Sequence, residues 1–445
     1  MKKKSLFLLM CLAVSSLFVV GCSKKEDTKK ETTKDGKTEV VFWHSMSGNV
    51  QEALDKIVED YNKSQDKVVV KAEFQGTYEE SLPKFQSVGG TKDAPTLVQV
   101  QEIGTKMMID SGYIEPMQKF IDEDKYDMSQ LEENISNYYQ VDGKYYSMPF
   151  NSSTPVMYYN KDAFKKAGLD PENPPQTYEE VIEASKAITK SNDKMKGFSL
   201  QAYGWLYEEL LANQGSLLFN NDNGRTKTPT KVAYDNEAGL SIFKWTEQMI
   251  KDGTFGNYGT NAENMIAGFA NGDVAMIMQS SASAGAVIDG AKFEVGEAYI
   301  PYPKDKEREG VVIGGASIWM SKGKEDAEQK AAWDFLKYLA DAKVQAQWHV
   351  STGYFSINPK AYEESIVQEA YKTKPQLEVA VKQLQDTKKS YATQGALMNM
   401  LPEERKIMET ALEQVYNGAE VESTFKEAVK QVNDAIENAN RKSSK

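Results

Sequence analysis

The 445-residue chain contains little cysteine and little histidine. The cysteines are Cys11 and Cys22, and the histidines are His44 and His349. Neither histidine belongs to a spaced set of metal ligands, and no cysteine follows Cys22. We therefore expect the body of the protein to have no metal site, no disulfide and no thiol nucleophile.

The chain also lacks the motifs of common hydrolases and nucleotide-binding enzymes. A Gly-x-Ser-x-Gly elbow, a Gly-x-x-x-x-Gly-Lys loop and a dinucleotide fingerprint are all missing, and Gly314-Gly315 alone is a weak signal. Two carboxylates can meet in a fold and hydrolyse a glycoside, but 65 acidic residues guarantee some such pair by chance. The sequence therefore predicts a protein that is not an enzyme and needs no cofactor.

Excess positive charge and long hydrophobic runs are absent as well. The formal net charge of −12 disfavours nucleic-acid binding, because an acidic surface repels phosphate backbones. The apolar run from Ser5 to Val20 is shorter than the roughly 20 residues that cross a bilayer. It follows the basic residues 2–4 and ends at Gly21-Cys22. This pattern predicts a secretory signal over residues 1–21.

The sequence Val19-Val20-Gly21-Cys22 resembles the bacterial lipobox, whose cysteine is lipid-modified and becomes the first mature residue. The alternative is a cysteine that merely lies near a cleavage site. Residues after Cys22 up to Lys37 are mostly charged or polar and cannot bury enough apolar surface to fold. We expect a flexible tether at 22–37, lipid-anchored on the extracellular face of the cell membrane.

The remaining chain is too long for one compact core, so two lobes are expected. Strand and helix patterns alternate between residues 39 and 100, which predicts a mostly parallel sheet covered on both faces. Asn160 and Thr177 occupy N-cap positions of the next helices. From the helix at Thr177 to Asn271 the sequence is predicted to be predominantly helical, before a strand at 274–278.

A series of motifs follows in order along this body. They are Phe42–Met46, Thr77–Glu79, Val100–Glu102, Pro149–Pro155, Tyr158–Pro171, Ile313–Ser317, Trp348–His349 and Thr352–Tyr354. Together they resemble the family-1 extracellular solute-binding proteins, and within that family the receptors for glycerol phosphates. The resemblance implies an ABC-importer receptor that acts as a monomer, takes a small polar ligand and delivers it to permease subunits.

The same resemblance implies an α/β, two-lobed periplasmic-binding-protein-like fold that closes on its ligand like a flytrap. Three hinge crossings would join the lobes, and the second lobe would be rich in helices. Mapped onto this chain, lobe one covers 38–153 and 308–348. Lobe two covers 154–307 and 349–440.

The resemblance also assigns ligand contacts. Tyr78 and Glu102 match positions that hold glycerol hydroxyls, a task suited to a carboxylate because it accepts several hydrogen bonds. Tyr178 matches an aromatic residue stacked near the ligand, and Trp205 is a second possible wall. Without the resemblance, Glu102 can equally be an exposed carboxylate at a strand end, and Tyr178 can pack within its own lobe. The family's phosphate contacts are matched by Ser153, Ser280, Gly315 and Tyr354.

One family position is different in this chain. The arginine that binds phosphate in the family falls on Leu397, and Arg405 matches another arginine in the following helix. A charge-assisted hydrogen bond contributes roughly 1.5–3 kcal/mol, so its loss weakens binding of a dianionic phosphate by at least about tenfold. The expected ligand is therefore glycerol-3-phosphate or a glycerophosphodiester, with an uncharged sugar or oligosaccharide as the alternative. An adhesin or an enzyme would leave the motifs unexplained.

Overall fold

A computed structural model describes residues 36–443 of the protein. The predicted signal at 1–21, the predicted lipidation site Cys22 and nearly all of the predicted tether lie outside the described residues. The strands are β1 Thr38–His44, β2 Val68–Phe74, β3 Leu97–Gln101, β4 Ile114–Glu115, β5 Gln140–Val141, β6 Lys144–Tyr145, β7 Met148–Ser153, β8 Pro155–Asn160, β9 Lys196–Leu200, β10 Val274–Ser280, β11 Val295–Ala298 and β12 Gly314–Ser321.

Helices make up most of the remaining structure. They are α1 Gly48–Ser64, α2 Tyr78–Val88, α3 Thr105–Ser111, α4 Gln118–Asp124, α5 Glu133–Ser136, α6 Lys161–Lys166, α7 Tyr178–Ser191, α8 Gly204–Asn213, α9 Asn220–Asn223, α10 Glu237–Lys251, α11 Ala262–Asn271, α12 Ala284–Gly290, α13 Asp326–Leu339, α14 Ala342–Thr352, α15 Ser365–Thr373, α16 Leu377–Gln385, α17 Tyr391–Gln394, α18 Leu401–Tyr416 and α19 Val421–Ser443. Three residues inside α9, Asn221, Asp222 and Asn223, have positive φ.

Two predicted helix starts are confirmed. The Asn160 side chain accepts a hydrogen bond from the Ala163 amide at 2.9 Å and caps α6. Thr177 and Glu180 form a reciprocal capping box at the start of α7. These caps satisfy amides that have no partner within the helix, so local sequence fixes both boundaries.

The first sheet has the strand order β2-β1-β3-β12-β4, and β7 also pairs with β12. Strand β1 runs parallel to β2 and β3, whereas β12 runs antiparallel to β3, β4 and β7. Five of the six strands therefore run in the same direction and β12 alone is reversed, so the prediction of a mostly parallel sheet is confirmed. The chain reaches β12 only after it has completed the second sheet, and β12 enters in the opposite direction.

The second sheet has the order β11-β8-β10-β9. Strand β9 lies within the region predicted to be predominantly helical. Four of its five residues are buried, so the strand lacks the alternation of apolar and polar residues that identifies a half-buried strand. Helices α7, α10, α18 and α19 pack in one apolar core with this sheet.

The chain passes between the sheets at Thr154, which separates β7 from β8. It returns after β11 and enters β12 at Gly314. Beyond α14, Phe355 forms a bridge to Ser152, and the chain then continues to helix α16, which packs on β11. The first and second sheets therefore meet where these connecting segments lie. None of the helices within 36–443 is long and apolar enough to cross a membrane.

Candidate ligand-binding site

Two tyrosines and an asparagine form a polar row beside the first sheet. Asn151, on β7, donates from Nδ2 to the Tyr78 hydroxyl oxygen at 2.9 Å. The Tyr354 hydroxyl interacts with both residues, and its ring stacks on Trp348 with centroids 5.8 Å apart. Burial, with a contribution from Tyr354, raises the pKa of Tyr78 well above its ordinary value. Both phenols therefore stay neutral and can donate or accept hydrogen bonds.

Glu102 lies directly after β3 and is only 1% exposed. Its interpretation as an exposed carboxylate is therefore wrong. Oε1 accepts a hydrogen bond from Arg405 Nη1 at 2.7 Å, whereas the buried Oε2 has no hydrogen-bond partner among the described residues. Burial raises the pKa of Glu102 to about 7, although Arg405 opposes this shift. The free oxygen gives the site an acceptor for a ligand hydroxyl.

Arg405, on α18, connects the part of the protein built on the first sheet with the part built on the second sheet. Besides Glu102, it contacts Glu208 on α8, donating from Nε and Nη2 to Oε2 at 3.0 and 2.6 Å. The other oxygen of Glu208 is buried without a hydrogen-bond partner in the described part of the chain. Burial opposes the charge of Arg405, but Glu208 and Glu102 together raise its pKa well above its ordinary value. The guanidinium is therefore permanently charged and shared by two carboxylates.

A second arginine links the same two sides. Arg225 donates from Nη1 to the Tyr138 carbonyl at 2.8 Å and from Nε to the Gly395 carbonyl at 2.9 Å. Its guanidinium also lies 4.9 Å from the centre of the Tyr138 ring. Leu397 follows this contact, is buried, and donates its amide to the Asn223 carbonyl at 2.8 Å. Position 397 therefore carries a neutral side chain, and the Arg225 guanidinium is already hydrogen-bonded to backbone carbonyls.

Gly315 lies on β12 where glycine is required. Its φ is +102°, and a Cβ there would lie 1.9 Å from the Asn151 carbonyl oxygen. The neighbouring Gly314 pairs with the buried Ser153. A Cβ on Gly314 would meet the Trp205 ring at 2.7 Å. Ser153, Gly315 and Trp205 are therefore brought together at the same edge.

Trp205 is 5% exposed, and its Nε1 has no hydrogen-bond partner among the described residues. A buried indole N–H normally finds an acceptor. This donor lies on α8, the helix that also carries Glu208. The same helix therefore presents an unused donor and an unused acceptor.

Ser280 ends β10, and its Oγ caps the following turn by accepting from the Ala282 amide at 3.2 Å. The turn lies beside Gly353, where an added Cβ would approach the Ser281 carbonyl oxygen to 3.0 Å. Because Tyr354 follows Gly353, this turn is a neighbour of the polar row. Among the described residues, the Ser280 side chain forms no hydrogen bond with Glu102.

Tyr178 is not brought to the other predicted residues. Its ring stacks on Trp245 with centroids 4.3 Å apart and an interplanar angle of 11°. Both rings belong to the core of the second sheet. This is the alternative arrangement, in which the first-turn aromatic residue packs within its own lobe.

A cavity of about 1020 Å³ opens beside β11, away from the residues described above. None of the eight residues predicted to bind ligand lines it. Instead, side chains from the two sheets contact each other directly, as Arg405 does Glu102 and Trp205 does Gly314. The site is therefore closed in this structure. Within the described residues no group of His, Cys, Asp and Glu side chains is arranged to hold a metal ion.

Comparison with known proteins identifies the protein class. A family model described as "Bacterial extracellular solute-binding protein" matches residues 56–379. The chain belongs to this family. It is therefore a solute-binding protein of the kind that serves ABC importers, with small ligands and permease subunits as partners, and it is not an enzyme.

Relatives of this solute-binding protein include the sn-glycerol-3-phosphate-binding periplasmic protein UgpB of Yersinia pseudotuberculosis. The two are 34% identical over 388 residues, which cover 86% of this chain and 88% of the relative. UgpB of Pectobacterium atrosepticum is 32% identical, with 86% and 87% covered.

Solved structures of the same fold include UgpB from Mycobacterium tuberculosis in complex with glycerophosphocholine. It has a TM-score of 0.76 and 21% identity, and the match covers 91% of this chain and 99% of that one. The sugar-binding protein MalE of Xanthomonas citri has a TM-score of 0.77 and 18% identity, covering 92% and 100%. These matches confirm the two-lobed α/β fold.

Sequence reasoning identified Tyr78, Glu102, Tyr354 and Gly315, but missed other members of the site. Asn151 lay inside a motif that was already recognised. Glu208 had a signal of its own, because two adjacent glutamates interrupt an otherwise apolar stretch of α8. Burial of a carboxylate in such a helix requires a charged or hydrogen-bonding partner, which the sequence alone could not locate.

The solute-binding protein is expected to lose stability as the pH rises from about 5 to 8. Glu404 is buried beside Tyr234, and burial, with the charge of Glu208, raises its pKa from 4.5 to about 8. Its stabilising contribution is present below pH 4.5 and is lost as the pH rises through 8, because only the unfolded chain releases the proton readily. Thermal melts of the ligand-free protein across this range will measure the effect.

The Glu404→Gln variant provides the control for this titration. The slope of unfolding free energy against pH should flatten by up to about 1.4 kcal/mol per pH unit, the limit for one proton. Identical slopes for the variant and the wild type would show that Glu404 does not retain its proton.

Proposed function

We propose that this solute-binding protein captures glycerol-3-phosphate or a glycerophosphodiester, and that it favours the diester. The observation that carries the proposal is the free, buried Oε2 of Glu102 beside the Tyr78–Asn151–Tyr354 row. Such a row supplies both acceptors and donors for adjacent hydroxyl groups, as a glycerol unit requires. The UgpB relatives support the same ligand class.

The preference for a diester follows from charge. Arg405 is shared by Glu102 and Glu208, Arg225 is held by backbone carbonyls, and Leu397 is neutral. A phosphomonoester carries nearly two negative charges at pH 7, and burying them without a cation is costly. A phosphodiester carries one negative charge and needs less compensation.

An uncharged saccharide is the second candidate. The absence of an uncommitted guanidinium from the described site favours it, as do structural relatives named as sugar-binding proteins. One is the cyclic alpha-maltosyl-1,6-maltose binding protein of Arthrobacter globiformis, with a TM-score of 0.75 and 24% identity, covering 91% of this chain and 100% of that one. Hydroxyl recognition by Glu102 would serve this ligand equally well.

Calorimetric titration decides between these ligands. We expect glycerophosphocholine to bind at least about tenfold more tightly than glycerol-3-phosphate, since one charge-assisted contact is missing. Maltotriose should produce no heat of binding. Binding of maltotriose without binding of either glycerol phosphate would refute the proposal and establish the second candidate.

The Leu397→Arg variant tests the basis of this preference. Its affinity for glycerol-3-phosphate is expected to rise about tenfold relative to that for glycerophosphocholine, because a guanidinium there adds a charge-assisted phosphate contact. Leu397→Met is the matched control, since it keeps a neutral side chain of similar size. An unchanged ratio of the two affinities in a folded variant would place the phosphate elsewhere.

We further propose that ligand binding closes two lobes, one built from 38–153 and 308–348 and the other from 154–307 and 349–440. Glu102 belongs to the first lobe and Arg405 to the second, so their contact forms only when the lobes approach. Small-angle scattering of the monomer should show a smaller radius of gyration with ligand than without.

The last part of the proposal is that Cys22 carries a lipid and that residues 23–37 tether the body to the membrane. In the native host, the Cys22→Ala variant is expected to appear in the culture medium, whereas the wild type remains in the membrane fraction. Incorporation of an alkyne-labelled fatty acid measures lipidation directly. Retention of the variant in the membrane fraction would refute the anchor.

A further inference from the structure

Helix α8 presents a row of polar groups to the first sheet. Trp205 lies against Gly314, and Glu209 accepts a hydrogen bond from the Val312 amide at 2.9 Å. Glu208 reaches Glu102 through Arg405. All three side chains lie within slightly more than one turn of the same helix, so they share a side that faces the site.

Glu208 carries an acceptor that nothing in the described structure uses. The residue is 3% exposed, and Oε1 has no hydrogen-bond partner among residues 36–443. Glu102 Oε2, on the opposite side of Arg405, is likewise buried and has no hydrogen-bond partner among these residues. Buried carboxylate oxygens are normally paired, so two such oxygens around one guanidinium indicate that further donors belong between them.

The guanidinium determines how these oxygens are oriented. Arg405 is planar, and its contacts occupy one oxygen of each carboxylate. The second oxygen of each side chain therefore remains available, and the two carboxylates are held in a fixed relation. Because two carboxyl groups share one guanidinium, this position offers acceptor oxygens and no uncommitted cation, which favours neutral hydrogen-bond donors over a phosphate oxygen.

We propose that Glu208 is a second ligand-binding carboxylate, which accepts a hydrogen bond from a ligand hydroxyl on the side opposite Glu102. Arg405 acts as the positioning residue for both carboxylates. The unused indole N–H of Trp205, one turn away, supplies a donor for an adjacent oxygen of the same ligand. This inference rests on the proposed function, because it assigns a contact to the hydroxyl-bearing part of that ligand.

A double-mutant cycle between protein and ligand tests the contact. The protein forms are the wild type and Glu208→Gln, and the ligands are glycerophosphocholine and its two analogues that each lack one glycerol hydroxyl. We expect Glu208→Gln to weaken glycerophosphocholine binding by at least about tenfold, but to weaken binding of one deoxy analogue by less than about threefold. Such non-additivity shows that the removed hydroxyl and Glu208 interact.

The alternative role for Glu208 is that of a counter-ion for Arg405 only. In that case Glu208→Gln lowers affinity equally for all three ligands, or strengthens binding of glycerol-3-phosphate by freeing the guanidinium. Either result overturns the proposal. Glu404→Gln is the matched control, because Glu404 is buried next to Arg405 in the chain but bonds to Tyr234. Its effects should be additive with hydroxyl removal.

Failure of this proposal is distinguishable from failure of the proposed function. If the wild type binds no glycerophosphocholine but binds maltotriose, the ligand class is wrong, and the same cycle is run with monodeoxy maltotriosides. Non-additivity there retains Glu208 as a ligand contact, and additivity rejects it. Circular dichroism of each variant verifies that the protein is folded.

Discussion

Glu102→Gln is expected to raise the dissociation constant for glycerophosphocholine by at least about 100-fold while leaving the protein folded. The amide keeps the size of the side chain but removes the charge and one of the two acceptor oxygens. The free Oε2 can accept two hydrogen bonds from the ligand, and hydrogen bonds to a charged group contribute about 1.5–3 kcal/mol each, so losing both reaches that factor. Isothermal titration calorimetry measures the constant, and circular dichroism measures the fold.

Glu297→Gln is the matched control for this variant. Glu297 is also a buried glutamate, 7% exposed, but it lies on β11 in the second sheet. It has no contact with Arg405 or with the polar row. Affinity should therefore remain within about threefold of the wild type. Equal affinities for Glu102→Gln and Glu297→Gln would show that the ligand binds at another site.

Local sequence was enough to predict the features that depend on short-range chemistry. The cap at Asn160 and the capping box at Thr177 follow from hydrogen bonds between residues three apart, and both are confirmed. Glu102 and Gly315 were found because each lies in a short motif. Gly315 also has a clear physical requirement, since its φ of +102° and the nearby Asn151 carbonyl exclude a side chain.

Long-range pairing explains what the sequence could not show. The ion pair between Glu102 and Arg405 joins residues 303 positions apart, so no spacing rule connects them. The direction of β12 is likewise determined by the path of the chain through the second sheet. Tyr178 illustrates a third limit, because an aromatic residue at a helix start can face a cleft or stack on a core residue such as Trp245.

These long-range contacts make Arg405 the centre of the closed arrangement. It is 5% exposed and is the shared partner of two buried carboxylates, one from each side of the sheet boundary. Removing one partner of a buried ion pair leaves an uncompensated charge, which costs more than the pair itself contributes. Stability and ligand binding should therefore depend on the same residue.

Arg405→Met is expected to lower the free energy of unfolding by about 3–5 kcal/mol and to abolish ligand binding. Chemical denaturation measures the first effect, and calorimetry the second. Arg308→Met is the control, because Arg308 is a partly exposed arginine 3.9 Å from Asp386, and such surface pairs contribute about 0–1 kcal/mol. A loss below about 1 kcal/mol for Arg405→Met would show that Glu102 and Glu208 are neutral without it.

Adding Glu102→Gln and Glu208→Gln to Arg405→Met separates the two effects. Neutral amides no longer require the guanidinium, so the triple variant should recover at least half of the lost stability. Ligand binding should not recover, because both acceptor carboxylates are gone. We therefore expect stability to return without affinity. This result would show that Arg405 stabilises the protein through the two carboxylates, and that the ligand needs the carboxylates themselves.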